Sequence, residues 1–352
     1  MDSIIKMVGS SVLFLMAAAA VSVAETTAGP VTLDNIAAPA TNSAEEPVAA
    51  QFSANQAKHF LDSTAVNWQK EFKCMTCHTN FLYLMSRPAF KLDDEAHRTV
   101  RRYAEELVEK RWNEEGPRWD AEVIMAALVL AANDAQTSGE LHPLTRQALD
   151  RVWTVQQDDG GFDWLKCDWP PMESDDEFGA AMAALAVSVA PGNYADTPAA
   201  QQGIEKLRGY LAKTPPPMLH HRAMWLWADT YRPGWITAAE RQKTLDDLLA
   251  LQHENGGWSI AALGDWSRED GSPQDLETSD GYATGLVVYL SRRAGLPADD
   301  PRLARGVAWL KANQRESGRW FTRSLHNDSL HYISHAGTSM AVMALAACDQ
   351  LK

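Results

Sequence analysis

Gln252-His253-Glu254-Asn255-Gly256-Gly257-Trp258 is one of three nearly superimposable stretches; the others are Gln157-Asp158-Asp159-Gly160-Gly161-Phe162 and Gln314-Arg315-Glu316-Ser317-Gly318-Arg319-Trp320. Glycine supplies the left-handed turn that stops a helix, the following aromatic folds back onto the helix end, and Gln can bond the backbone groups freed there. Each copy stands just before an Ala-rich apolar run at helical spacing. Six such runs recur: Phe81 to Met85, Val123 to Ala132, Phe178 to Val189, Ala223 to Ala228, Tyr282 to Leu290 and Thr338 to Ala347. Their spacing of roughly 40 to 60 residues lies in the range that marks stacked two-helix units. Each unit has an earlier, more polar helical stretch, such as Arg241 to Leu251 or Leu303 to Lys311, suited to the outside. The pattern predicts six helical hairpins with apolar inner helices.

Gln-x-x-x-Gly-x-Trp/Phe repeats ahead of inner helices resemble those of squalene-hopene cyclases and protein prenyltransferase β-subunits, over about Phe52 to Lys352. The resemblance implies an all-α fold: an α/α toroid of six hairpins whose inner helices surround an apolar cavity, as a single domain over residues 53–352. An open helical solenoid is the alternative that repetition alone allows. True squalene cyclases carry two toroids in a longer chain, and the Gly-Cys-Gly-Glu-Gln of thioester-containing toroids is absent here.

Ahead of the repeats, Lys6 precedes the apolar run Val12 to Ala20, and Ser22 and Ala24 are small residues placed as a cleavage site. This predicts a signal peptide over residues 1–24 and a periplasmic or otherwise exported protein, because the apolar run is shorter than the roughly 20 residues a bilayer span needs. Residues 25–52, rich in Ala, Thr, Pro and Glu without an apolar period, read as a flexible linker. A hydrophobic share of 45% against 22% charged gives the remainder enough material for a large core. The formal net charge of −14 excludes nucleic acid as a partner, since that affinity rests on clustered Lys and Arg.

Cys74-Met75-Thr76-Cys77-His78 has the spacing that lets two thiols add to the vinyl groups of one haem while the adjacent imidazole binds iron. Export favours this reading, which makes Cys74, Cys77 and His78 ligands of one covalent haem c. A redox dithiol or part of a zinc site uses the same residue types, although zinc needs further Cys or His ligands nearby. The motif occupies the first unit's turn position, directly before Phe81, where it departs from the terpene-cyclase pattern. Closing six hairpins into a ring sets the sixth beside the first, so His335 becomes the candidate second axial ligand, with His331 in reserve. Met85 lies two turns along the same helix as His78 and cannot reach the opposite iron face. Cys167 and Cys348 cannot be paired or separated from sequence.

At the third mouth, Glu173-Ser174-Asp175-Asp176-Glu177 resembles the Asp-x-Asp-Asp-Thr-Ala of squalene-hopene cyclases. That resemblance makes Asp175 the proton donor of a class II terpene cyclase, with Asp176 beside it. The first Asp is Glu173 here and the Thr-Ala is Glu177-Phe178. Acids also favour helix N-termini through capping and the macrodipole. At the fifth mouth, Ser279-Asp280-Gly281-Tyr282 resembles the zinc segment of prenyltransferase β-subunits, with Asp280 and a late His matching, but the matching Cys is missing. His220 and His221 open the fourth inner helix, and Trp225 and Trp227, two apart, cannot share one helix face.

The sequence thus predicts a monohaem protein performing electron transfer or haem-based redox chemistry, with a redox partner protein or an apolar, isoprenoid-type ligand. The rivals are cationic cyclisation from Asp175 and a haem or lipid sensor without turnover. Electron transfer needs an exposed haem edge, sensing an open iron position, and cyclisation a buried acid in an aromatic cavity.

Overall fold

The computed structural model describes residues 29–352 apart from residues 37, 76, 92 and 329–331, and of Cys77 only the backbone. The expected leader, Thr76, the Cys77 side chain and His331 lie outside the described residues. Among the described residues twelve α-helices of five residues or more alternate: α1 (Ala54–Phe72), α2 (Leu82–Ser86), α3 (Glu95–Glu106), α4 (Asp120–Gln136), α5 (Pro143–Val152), α6 (Asp176–Val189), α7 (Pro198–Lys213), α8 (Leu219–Tyr231), α9 (Ala238–Ala250), α10 (Gly281–Arg293), α11 (Pro301–Ala312) and α12 (Ile333–Ala347). Odd-numbered helices bury one stripe; α3 covers only Ala96, His97, Val100 and Ala104. Even-numbered helices are buried over most of their length, and α4, α6 and α12 are apolar on nearly every side, as a helix enclosed on every side must be. Successive inner helices pack α2 on α4, α4 on α6, and onward to α12, and α12 packs back on α2. The chain is an α/α toroid of six hairpins, closed rather than open.

The glycine turns make the closure. Gly160, Gly256 and Gly318 have φ of +95°, +93° and +93°, the left-handed region that disfavours any residue with a Cβ. In each turn the glutamine that bonds the freed carbonyls stands four residues before this glycine. For the first copy it is Gln156, not Gln157 as the sequence comparison placed it. Gln156, Gln252 and Gln314 each donate Nε2 to their own glycine's carbonyl, at 2.9, 2.9 and 3.1 Å. The same amide also bonds the next outer helix: Gly203 O on α7 at 3.0 Å, Arg302 O on α11 at 2.7 Å and, for Gln314, Ser53 O at the start of α1 at 3.0 Å. Ser53 N returns a bond to Gln314 Oε1 at 2.7 Å. The third turn therefore clamps the last hairpin to the first. Trp258 and Trp320 fold back as expected, donating Nε1 to Leu248 O and Leu310 O at 2.8 and 2.7 Å.

Two expectations change. The run Phe81 to Met85 forms a short α2 entered by a π-helical turn over Cys77–Phe81 and left by a 3-10 turn over Arg87–Phe90, where Pro88 cannot donate to an α-helical ladder. The linker expected over 25–52 is not wholly loose. Arg319 donates to Ala40 O at 3.0 Å and Thr41 O at 2.9 Å and pairs with Glu46, while Ala49 N donates to Gln314 O at 2.8 Å. A polar segment with little apolar surface is held by charge and backbone bonds to the closing turn, forming a strap over residues 40–49.

Candidate functional site at the closing seam

α1 ends at Lys73, whose left-handed φ of 49° turns the chain toward Cys74, and the π turn then carries His78 and Thr79. Trp68 on α1 donates Nε1 to Cys74 Sγ at 3.4 Å. Burial pushes the Cys74 thiol up despite that bond, so it is neutral at physiological pH. His78 Nδ1 lies 2.8 Å from Thr79 Oγ1, and the same hydroxyl lies 2.9 Å from His335 Nδ1 on α12. Closure therefore brings together two imidazoles 257 residues apart on one hydroxyl. Tyr332 stacks on the His78 ring at 5.0 Å and 15°, and Trp68 meets its edge at 4.8 Å. Phe60 meets the edge of His335 at 5.7 Å.

Both histidines are half-buried in this aromatic crevice. Burial, with His335 adding to it at His78 and Arg319 adding to it at His335, lowers each to about 3. Both are neutral imidazoles at physiological pH, the form that binds metals.

The acids stand elsewhere on the rim. Asp175 caps α6, accepting from Phe178 N at 2.9 Å, with Ser174 Oγ at 3.0 Å and His221 Nε2 at 3.0 Å. Burial raises its pKa, but the bonds and charge of His221, Phe178 N and Ser174 outweigh it and leave the carboxyl below its ordinary value. Asp176 points away, accepting from Trp164 N and Lys166 Nζ, both at 2.8 Å. Asp280 caps α10 through Ala283 N at 2.9 Å and also accepts from Ile260 N at 2.5 Å; burial nevertheless pushes it up to about 7. His220 Nε2 meets Tyr282 OH at 2.9 Å. Trp225 and Trp227 diverge as their spacing requires, to Trp235 and Tyr289. Cys167, exposed, and Cys348, buried, are separate free thiols. Sequence reasoning missed Thr79 and Tyr332; adjacency to His78 and to His335 was the available signal.

No family model and no curated protein matches the chain. Among solved structures it is similar to ent-copalyl diphosphate synthase from Streptomyces platensis, at 17% identity and a TM-score of 0.51 over 77% of this chain and 50% of that one. The chain thus spans half the length of that synthase. It is also similar to the polysaccharide lyase BACCELL_00875, at 13% identity and TM-score 0.52 over 85% and 97% of the two chains. A third similar structure is an inactive variant of the α-1,6-mannanase GH76A of Salegentibacter sp. HEL1_6, at 10% identity and TM-score 0.51 over 84% and 100%. These likenesses establish the toroid fold. Among the described residues no helix is long and apolar enough to cross a membrane.

Proposed function

We propose that the chain is an exported c-type haem protein in which Cys74 and Cys77 would hold the haem by thioethers and His78 and His335 would bind its iron. The observation that carries this reading is the pairing of two neutral imidazoles, one directly following the Cys-x-x-Cys spacing, on the single hydroxyl of Thr79. The residues present fit such a group. Engagement of His78 Nδ1 by Thr79 leaves its Nε2 for iron, the usual way an outer-shell partner fixes a ligand's tautomer, and His335 would let go of Thr79 to reach the iron. Stacking by Tyr332 covers the face of His78 and leaves the in-plane lone pair free to ligate. Trp68 already supplies a donor to the Cys74 sulfur.

A bound haem supplies one-electron redox chemistry, at a lower potential with two imidazoles than with His and Met. The chain's own residues orient and shield. An imidazole that held iron through Nε2 would carry its proton on Nδ1, so His78 would donate to Thr79 Oγ1. Binding by His335 as well as His78 would leave iron no position for a further ligand, which would favour electron transfer to a partner protein, or to an apolar ligand, over sensing. The lowered pKa of Asp175 works against the cyclase reading, because a class II proton donor must be protonated. The similar toroids are a synthase, a lyase and a mannanase, so the scaffold itself selects no chemistry.

The test is covalent haem. Produced in an exporting host with a cytochrome c maturation system, the protein is expected to be red and to keep its haem through acid-acetone extraction. Cys74→Ala combined with Cys77→Ala is expected to lose it. A colourless wild-type product, or haem that extracts freely, overturns the reading.

A further inference from the structure

A cavity of about 310 Å³ lies between the second and third glycine turns, and its walls include none of Cys74, His78 and His335. Its volume is at the lower end of the range of small-molecule sites. Asn255 comes from the second turn, Glu277 from the segment ahead of α10, Trp309 and Asn313 from the end of α11, and Arg315 and Phe321 from the third turn. Arg315 is the telling wall. Its Cζ lies 5.8 Å from the centre of the Phe321 ring, and its backbone is fixed in the turn by donation to Arg319 O at 2.8 Å. Nη1 donates to Glu46 O of the strap at 2.6 Å and Nε is sealed within protein, whereas Nη2, without a partner among the described residues, is open to solvent. Glu46 gives its carboxylate to Arg319 instead. Burial holds the Arg315 pKa below its ordinary value, with Arg319 adding to burial and Glu46 and Glu45 opposing it. The guanidinium is thus held in place, half-buried and short of counter-charge.

A second, independent observation concerns the two amides. Asn255 Oδ1 accepts from Gly257 N and from Ser279 Oγ, both at 2.9 Å, so the amide cannot turn over and Nδ2 is left as an unused donor. Asn313 is fixed the other way. Its Nδ2 donates to Trp309 O at 2.8 Å, and Oδ1 is left as an acceptor without a partner among the described residues. The exposed carboxylate of Glu277 stands at the rim and forms no ion pair among the described residues. The cavity therefore offers a charged and a neutral donor, Arg315 and Asn255, and a charged and a neutral acceptor, Glu277 and Asn313, around the rings of Trp309 and Phe321.

From these observations we propose that the cavity binds a free α-amino acid with an apolar side chain: its carboxylate on Arg315 and Asn255, its ammonium on Glu277 and Asn313, and its side chain against Trp309 and Phe321. A guanidinium nitrogen beside an amide N–H suits a carboxylate, and a carboxylate beside an amide oxygen suits an ammonium, which has donors only. A plain carboxylic acid would meet Arg315 but be opposed by Glu277, and a plain amine would meet Glu277 but be opposed by Arg315. A neutral ligand would answer neither charge.

The experiment is isothermal titration of the full protein at neutral pH with L-phenylalanine and L-leucine. Each is compared with the analogue lacking its ammonium, hydrocinnamate or isocaproate, and with the analogue lacking its carboxylate, phenethylamine or isoamylamine. At least one amino acid is expected to bind saturably, with both of its analogues weaker by about tenfold or more, the worth of a hydrogen bond between charged groups. Arg315→Gln and Glu277→Gln, measured separately, are each expected to weaken that amino acid by a similar factor, while Glu277→Gln leaves the ammonium-free analogue no weaker. Glu277 is exposed, so its variant keeps the test intact even where Arg315→Gln, which also loses the bond to the strap, fails to fold. Failure of both amino acids to bind, an analogue that binds as tightly as its parent, or affinity undiminished in Glu277→Gln or in folded Arg315→Gln overturns the proposal. Because the cavity lies apart from Cys74 and His78, the outcome does not depend on haem.

Discussion

Gly318→Ala tests whether the ring is closed. Gly318 has φ +93°, and a Cβ built on it would lie 2.2 Å from Gln56 O and 2.4 Å from Gln56 C, at the start of α1. Two costs follow. Holding a residue with a Cβ in the left-handed region costs roughly 1–2 kcal/mol. Forcing an atom into packed backbone costs typically another 1–3 kcal/mol, because neither the turn nor α1 can move without breaking the bonds between Gln314 and Ser53. The sum is about 2–5 kcal/mol. For a chain of this size about 2 °C is lost per kcal/mol, so the melting temperature is expected to fall by about 4–10 °C. Gly295→Ala is the control: its φ is +105° but nothing lies within 4 Å of the added carbon, so only strain applies, about 2–4 °C. Gly160→Ala, whose Cβ would meet Lys206 O at 2.2 Å between successive hairpins, should behave like Gly318→Ala. Thermal unfolding followed by circular dichroism gives all three values. If Gly318→Ala costs no more than Gly295→Ala while Gly160→Ala costs the larger amount, the sixth hairpin does not pack on the first and the solenoid reading replaces the toroid.

The remaining predictions concern the seam and the rim. His335→Ala in haem-loaded protein is expected to convert a low-spin electron paramagnetic resonance signal to high spin; an unchanged signal places the second ligand elsewhere. Thr79→Val removes the oxygen beside His78 Nδ1 and is expected to raise the reduction potential of haem-loaded protein, since less electron density reaches iron, with Thr79→Ser restoring it; protein-film voltammetry reads the shift. Asp175→Asn is expected to keep the fold and the haem spectrum, because Asn caps a helix as well as Asp does, and a loss above about 2 kcal/mol in urea unfolding would contradict its role as a cap. His220, packed among His221, Asp175, Phe178, Trp266 and Tyr282, has a pKa well below 6.5 because of burial, with His221 adding to it. Below pH 6.5 the unfolded chain binds a proton there that the folded one refuses, so its contribution to stability is present above 6.5 and lost as pH falls, by up to about 1.4 kcal/mol per pH unit. Asp280 works in the opposite direction between 3.8 and about 7, since its folded form holds the proton longer, and the comparison of His220→Gln with wild type cancels that contribution. A urea midpoint that depends on pH identically in both proteins would refute the assignment.

The toroid was legible because its signal is periodic: a glycine turn followed by an aromatic and an Ala-rich run states where an outer helix stops and an inner one begins. Register within the signal was less secure. Two adjacent glutamines, Gln156 and Gln157, fit the first copy, and only the bonds to Gly160 O and Gly203 O distinguish them. The strap was misread because composition reports what a segment can bury, and Glu46 is held by a charge, Arg319, which stands 273 residues away. That His335 lies near His78 was legible for a topological reason, since any six-unit ring sets the sixth mouth beside the first. Thr79 was not, because a hydroxyl beside a histidine is commonplace until a second imidazole arrives on it. The same closure that fixes the fold thus also builds the seam: Gln314 on Ser53 ties the outer layer, Ser86 Oγ on Ser339 Oγ at 3.2 Å ties α2 to α12 along the inner layer, and Thr79 between His78 and His335 lies on that same inner junction. A perturbation that opens the ring should therefore separate the two imidazoles before it unfolds any single hairpin, and haem-loaded Gly318→Ala protein is expected to lose any low-spin signal that depends on His335 at temperatures where its helix content is still intact.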